Sequence, residues 1–277
     1  VSSNIFFYLY FVFRSFLKKK KTYLIISISP YTFAASLFLK VFIKKQFIYL
    51  RSDGYKEYKS ILGFVGPFIY HLMFTISTIS SNLISCREHI LRGRSGHVVH
   101  PSQLNKNWFM QEKKNEIKKN KLLYVGRIRV EKGIFSLIKI LENTDIELTI
   151  VTSEKENEIN LNSKNVTVIN FENYNDEIIK FYDEHSIFIL PSYTEGHPQV
   201  LDEALARCRP VIIFEEISHV IRDRKGVFIS KRKPEELKDV IEHITDNYES
   251  IKNDIKKNSL PTKENFILEM SNILKSS

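Results

Sequence analysis

Residues 191–203 read PSYTEGHPQVLDE, a turn that leads from an apolar run into a helix and carries two carboxylates, Glu195 and Glu203. Before it, residues 186–190 (SIFIL) form a short β-run. After it, residues 198–207 take helical spacing, with Pro198 at a first-turn position where no amide hydrogen is needed. Glu195 therefore falls in a strand-to-helix turn at the carboxyl end of a strand, where open α/β sheets bind ligands. The free N–H groups of Gly196, His197 and Gln199 favour an anion or a sugar hydroxyl there. Glu203 follows one turn after Gln199 on the same helix face.

Working outward, the same rhythm fills the C-terminal half. LLYV (122–125) reads as a buried strand and residues 126–132 as a turn. Ile134, Leu137, Ile138 and Leu141 then give an apolar face at helical spacing. Further strands are expected at 147–151, 165–169, 186–190, 211–214 and 226–229. Helices are expected near 176–184 and 198–207, and another opens at Pro234 and Glu235. Thr262 is a plausible N-cap for a last helix striped by Phe266, Ile267, Met270, Ile273 and Leu274. In the N-terminal half, β-runs at 23–29 and 47–50 flank a helical pattern over 31–45, and shorter ones follow at 82–86 and 97–99. Strand alternating with helix predicts parallel sheets with crossovers. The expected division is a partial N-terminal domain over 1–100, a polar linker over 101–120, a C-terminal domain over 121–260 and a final helix over 261–277 that crosses back.

Length and composition fit this plan. The 277 residues, 43% hydrophobic, suffice for two cores. Two distant cysteines, Cys86 and Cys208, exclude a disulfide scaffold and lack metal-ligand spacing, which favours a reducing compartment, by default the cytoplasm. The net charge of +9 rests on lysine runs at 18–21, 44–45 and 113–121 and suits phosphates or anionic lipid surfaces. No nucleic-acid-binding signature accompanies it. The aromatic opening (IFFYLYFVF) has its lysines after it, not before, so it does not read as a signal peptide. Residues 61–85 contain no Asp, Glu, Lys or Arg and are long enough to span a bilayer. Their glycines, proline, histidine and many hydroxyls favour a buried or membrane-skimming segment instead.

The polar residues expected at the carboxyl ends of the strands are Gly126, Arg127 and Lys132; Thr152 and Ser153; Ser192, Glu195 and Gly196; and Glu215 and Glu216. They should line one sheet edge, facing the other domain across a cleft. Arg127 and Lys132 are suited to a diphosphate, one as a bidentate fork and one as a point charge; the alternative is a pair of ordinary surface cations. Glu203 is suited to a pair of sugar hydroxyls; the alternative is a helix-surface glutamate. Of the histidines, His197 stands inside the Glu turn, whereas His71, His97, His100 and His219 read as structural. Asp53, in RSDG, is the acceptor-side candidate, with a turn aspartate as the equal alternative.

GRIRVEKG (126–133) followed by an amphipathic helix, and then ILPSYTEGHPQVLDEALA (189–206), resemble the retaining glycosyltransferases of family 4, which have two Rossmann-like, doubly wound domains facing a cleft, the GT-B fold. The spacing of Glu, seven residues, Glu is intact. The resemblance implies that Arg127, Lys132 and Glu195 are catalytic. It implies that Gly126, Gly196, His197, Pro198, Gln199, Val200 and Glu203 bind a nucleotide-diphosphate sugar, with Glu203 on the ribose. It also implies front-face transfer of a hexose to a glycan or lipid-linked acceptor in cell-surface polysaccharide or lipopolysaccharide synthesis, the leaving phosphate taking the acceptor proton. No metal and no cofactor are expected, since no Asp-x-Asp pair or His/Cys cluster is present. The basic, aromatic N-terminal half favours a peripheral location at the inner face of the cytoplasmic membrane.

Three departures stand against the family pattern. The N-terminal domain lacks the opening strands and their glycine-rich turn, about seventy to eighty residues by domain size, so the chain is expected to be N-terminally truncated. Cys208 and Arg209 replace a glycine, and EEISHVI (215–221) replaces a glycine pair. Two other functions therefore stay open: a catalytically inactive nucleotide-binding or membrane-associated partner, and a sugar-nucleotide epimerase.

Overall fold

The computed structural model describes residues 4–16, 22–110, 120–154, 164–171 and 176–276. The lysines at 18–21 and residues 111–119 of the expected linker lie outside these. The chain divides into two units, residues 1–101 with 265–277, and residues 102–264.

In the first unit, α1 (Ile5–Phe16) precedes β1 (Thr22–Ile26), α2 (Pro30–Val41) and β2 (Lys45–Leu50). Then come α3 (Gly54–Leu62), α4 (Gly66–Thr78), β3 (Asn82–Ser85) and β4 (His97–Val98). The strands pair in parallel in the order β1-β2-β3-β4. Alternation along β2 splits its side chains between two cores. Ile48 and Leu50 join α2 and α4 on one face, whereas Phe47 and Tyr49 meet α10 (Lys263–Ser276) through Phe266 and Met270 on the other. Ser29 caps α2 in a reciprocal capping box with Thr32. The helix ends at Val41 and not, as expected, near Lys45, because Ile43 turns left-handed (φ 52) and returns Lys45 to the sheet.

The second unit holds β5 (Lys121–Val125), α5 (Ile134–Leu141), β6 (Glu147–Thr152), β7 (Val166–Asn170), α6 (Ile179–Glu184), β8 (Ile187–Leu190) and α7 (Gln199–Ala206). It continues with β9 (Val211–Phe214), β10 (Val227–Ser230), α8 (Pro234–Asp246) and α9 (Tyr248–Ile255). Its six strands are parallel in the order β10-β9-β8-β5-β6-β7. In chain order within the unit this is 3-2-1-4-5-6 read from the other edge, the Rossmann arrangement, whose switch point falls between β5 and β8. β5, β8 and β9 are almost wholly buried, as all-parallel strands covered on both faces must be.

Residues 102–110 do not behave as linker. Leu104 and Trp108 are buried in the second unit's core, with Trp108 edge-on to Tyr182. Arg207 holds this segment by donating to the carbonyls of Trp108 and Met110 while gripping Asp183 with two hydrogen bonds of 2.8 and 2.9 Å. A polar, lysine-rich composition hid a tryptophan anchor.

Candidate functional site

Two turns leave the switch point, one after β5 and one after β8. The first runs from Gly126 to Gly133, where a left-handed residue (φ 70) starts α5. A Cβ at Gly133 would overlap the carbonyl oxygen of Pro191, so only glycine lets the turns approach this closely. The Tyr193 amide donates to the Glu131 carbonyl at 3.0 Å and fastens one turn to the other.

Across this junction Lys132 Nζ donates to Glu195 Oε1 at 2.6 Å, and Ser192 Oγ donates to the same oxygen at 2.6 Å. Lys132 keeps 23% of its side-chain surface exposed and Glu195 only 9%. The predicted diphosphate ligand and the predicted sugar contact are thus bonded to each other. Arg127 is exposed and makes no side-chain hydrogen bond or ion pair among the described residues. Its carbonyl is held by the Tyr124 hydroxyl at 2.8 Å, which fixes the backbone next to Gly126.

Pro198 is the N-cap of α7 and not its first turn, because its ψ of 106° is extended; the helix starts at Gln199. Gly196 and His197, before the cap, and Gln199, at the first helical position, offer amides with no acceptor among the described residues. Gln199 and Val200 are half-buried beside them. The His197 ring is buried, with Nε2 3.2 Å from Asp202 Oδ2, so the backbone rather than the imidazole is presented. Asp202 also takes two hydrogen bonds from Arg224, at 2.7 and 3.0 Å. Burial pushes its carboxyl upward, but His197 and Arg224 outweigh that and hold it below the ordinary range.

Glu203 is buried and accepts from the Tyr182 hydroxyl at 2.7 Å. Burial pushes its pKa up to about 7, the nearby Asp202 charge adds to the rise, and the Tyr182 bond opposes it. The helix-surface alternative for Glu203 does not hold. Asp53, in the first unit, caps α3 through the Tyr55 amide and pairs with Arg92 at 2.9 Å, which is the turn-aspartate alternative.

Several residues escaped sequence reasoning. Arg232, between Lys231 and Lys233, reaches the turn after β8 and donates to the Pro191 carbonyl at 2.7 Å. It pairs with Glu216 at 2.7 Å and lies 4.0 Å from the Tyr193 ring centroid and 4.3 Å from that of Phe214. The Glu216 carboxyl feels an upward push from burial, which the Arg232 hydrogen bond exceeds, so its pKa is lowered. Within EEISHVI, His219 Nε2 donates to the Glu195 carbonyl at 3.0 Å. The stretch that replaces a glycine pair, which follows β9, therefore braces the Glu195 turn. Glu154 accepts from the Ile128 amide at 2.6 Å and pairs with Arg129 at 3.0 Å. After β6 the sequence marks only Thr152 and Ser153, the residues before Glu154, for this edge.

The site thus joins an exposed arginine, a lysine tethered by a half-buried glutamate and a set of unpaired amides at one switch point, a combination suited to a charged diphosphate. Comparison with known proteins agrees in architecture. The capsular polysaccharide biosynthesis glycosyltransferase CapM of Staphylococcus aureus is 30% identical over 156 residues, 51% of this chain and 40% of CapM. Thus the matched stretch spans well under half of that relative. A sucrose-phosphate synthase structure from Thermosynechococcus elongatus superposes with a TM-score of 0.74 at 17% identity, covering 96% of this chain and 77% of that one. Anabaena HepE, solved with UDP and glucose, gives 0.68 at 11% identity over 97% and 80%. These likenesses show the GT-B fold. Residues 106–273 match the profile described as "Glycosyl transferases group 1", and the chain belongs to that family.

Proposed function

We propose that this protein transfers a hexose from a nucleotide-diphosphate sugar to a glycan or lipid-linked acceptor in cell-surface polysaccharide synthesis, with retention of configuration and without a metal ion or cofactor. The observation that carries this reading is the Lys132–Glu195 bond at the β5/β8 switch point, with Arg127 exposed beside it. As the glycosidic bond breaks, charge grows on the leaving diphosphate. On this reading Lys132 and Arg127 stabilise that charge more in the transition state than in the ground state, and the amides of Gly196, His197 and Gln199 add fixed dipoles. Glu195 orients Lys132 and, on this reading, also meets the donor sugar. Glu203 is assigned to the ribose hydroxyls, a role that needs its ionised form.

CapM's capsular role supports a polysaccharide acceptor, and HepE's bound UDP and glucose support a UDP-sugar donor. A cytoplasmic location at the inner membrane face fits an acceptor of that kind. The test is a panel of UDP-, GDP- and ADP-sugars with membrane extract, read by nucleotide release and label transfer. Transfer from at least one donor, lost in Lys132→Ala, is the expected result, and neither hydrolysis nor transfer with any of them overturns it.

One observation favours a second reading, a catalytically silent nucleotide-binding partner: Glu154 already occupies the Ile128 amide and Arg129 in the turn that carries Arg127. On that reading the panel gives binding by calorimetry with no turnover.

A further inference from the structure

Helices α3 and α4 form a hairpin whose inner side is aromatic and whose outer side is apolar and bare. Tyr70 packs against Tyr55, Tyr58 and Phe74, with ring centroids 4.9, 5.3 and 6.0 Å apart. α3 ends at Gly63 (φ 62), and a Cβ at Gly66 would overlap the Tyr58 carbonyl, so the two helices are locked side by side. The packing leaves Phe64 83%, Phe68 74%, Ile61 72% and Leu72 61% exposed around the tip. Large apolar side chains exposed together in this way mark an interaction site. The stretch from Gly54 to Thr78 is long and apolar enough in total to cross a membrane. Folded back on itself it offers helices of 9 and 13 residues, each shorter than the roughly 20 a spanning helix needs.

Charge decides what covers this face. Residues 1–101 hold 14 of the 41 Lys and Arg residues but 3 of the 32 Asp and Glu residues, so the whole positive excess of the chain lies in the first unit. Lys56 and Lys59 are exposed on α3 just before the apolar tip, with one exposed carboxylate, Glu57, between them. Aromatic and aliphatic side chains at a tip with lysines behind it suit the boundary of an anionic bilayer, where rings enter the acyl region and ammonium groups meet headgroup phosphates. We propose that the α3–α4 hairpin is a membrane wedge that seats the first unit on an anionic lipid surface. It deepens the membrane-facing part of the function proposed above and is independent of the donor chemistry.

The experiment is co-sedimentation of the full chain, without any sugar nucleotide, with vesicles of phosphatidylglycerol and phosphatidylcholine or of phosphatidylcholine alone. The proposal expects binding to the anionic vesicles, weaker binding to neutral ones, and release by alkaline carbonate. Phe64→Asp with Phe68→Asp should lower the partition at least tenfold, whereas Leu268→Asp, an exposed apolar position on α10, should not. Circular dichroism confirms that each variant is folded; should the double aspartate variant fail there, Phe64→Ser with Phe68→Ser replaces it and is expected to act in the same direction. Equal binding by wild type and folded variant, retention after carbonate, or a dimer that the substitutions dissolve while vesicle binding persists would each overturn the wedge. Loss of transfer activity with intact vesicle binding would instead strike only the transferase reading.

Discussion

Lys132 Nζ and Glu195 Oε1 stand 2.6 Å apart on turns that leave two adjoining strands, β5 and β8; removing Glu195 strands Lys132, whereas removing Lys132 leaves Glu195 the Ser192 hydroxyl alone. Lys132→Ala and Glu195→Ala should each lower donor turnover about 100-fold or more, the scale of losing one preorganised electrostatic contact. The double variant should fall short of the summed losses by about 1–3 kcal/mol, as coupled partners do. Turnover of the best donor in the panel, with circular dichroism as the folding control, measures both; strict additivity would dissolve the pair.

Glu203 couples stability to pH. Its carboxyl titrates near 7 in the folded protein against an ordinary value of 4.5. Between these values the folded form keeps a proton that the unfolded form loses, so stability is highest at the acid end and falls as pH rises toward 7. The slope amounts to as much as about 3 kcal/mol over the window. Glu203→Gln should flatten this part of the melting-temperature profile, and an unchanged slope removes Glu203 as its source.

The same residue gives nucleotide affinity the opposite trend. A carboxylate that accepts ribose hydroxyls must be ionised, so UDP affinity should rise as pH passes through about 7 in the wild type and show no such rise in Glu203→Ala. Calorimetry at pH 6 and 8, about one unit either side, suffices for the comparison.

Arg232 holds the Pro191 carbonyl and Glu216 while lying over two rings. Arg232→Lys keeps the charge but not the planar fork, and should cost about 1.5–3 kcal/mol of stability. Chemical denaturation reads the loss; a midpoint equal to wild type would make the guanidinium geometry irrelevant.

Gly133→Ala places a Cβ on the Pro191 carbonyl oxygen at a left-handed backbone position. Strain and overlap together should destabilise the second unit by about 2–4 kcal/mol. A thermal melt within a degree of wild type would contradict the close crossing of the two turns.

Much of this architecture was readable from sequence because apolar runs and breakers are local. SIFIL, LLYV and the Glu195 turn fall where spacing placed them, and the parallel, doubly wound sheet follows from their alternation with helices. What escaped depended on contacts between distant segments. Helical spacing put Glu203 on the face of Gln199, but nothing local shows Tyr182 waiting behind it. Arg232 carries no local cue, and Trp108 falls inside the expected linker, because their partners lie in other elements. The glycine that Cys208 replaces left its mark differently: Cys208 keeps the left-handed conformation (φ 55), with Arg209 buried alongside and bonded to the Tyr182 carbonyl.

The strand order also sets when the site can exist during folding. Lys132 and Glu195 are 63 positions apart in the chain, and they meet only after β8 has paired with β5, past β6, β7 and α6. Such non-local parallel pairing bears a large loop-closure entropy and forms slowly. Nascent chains that end before β8 lack the second half of the site altogether, so the capacity to grip a diphosphate arrives in one step, with the closing of the sheet's centre.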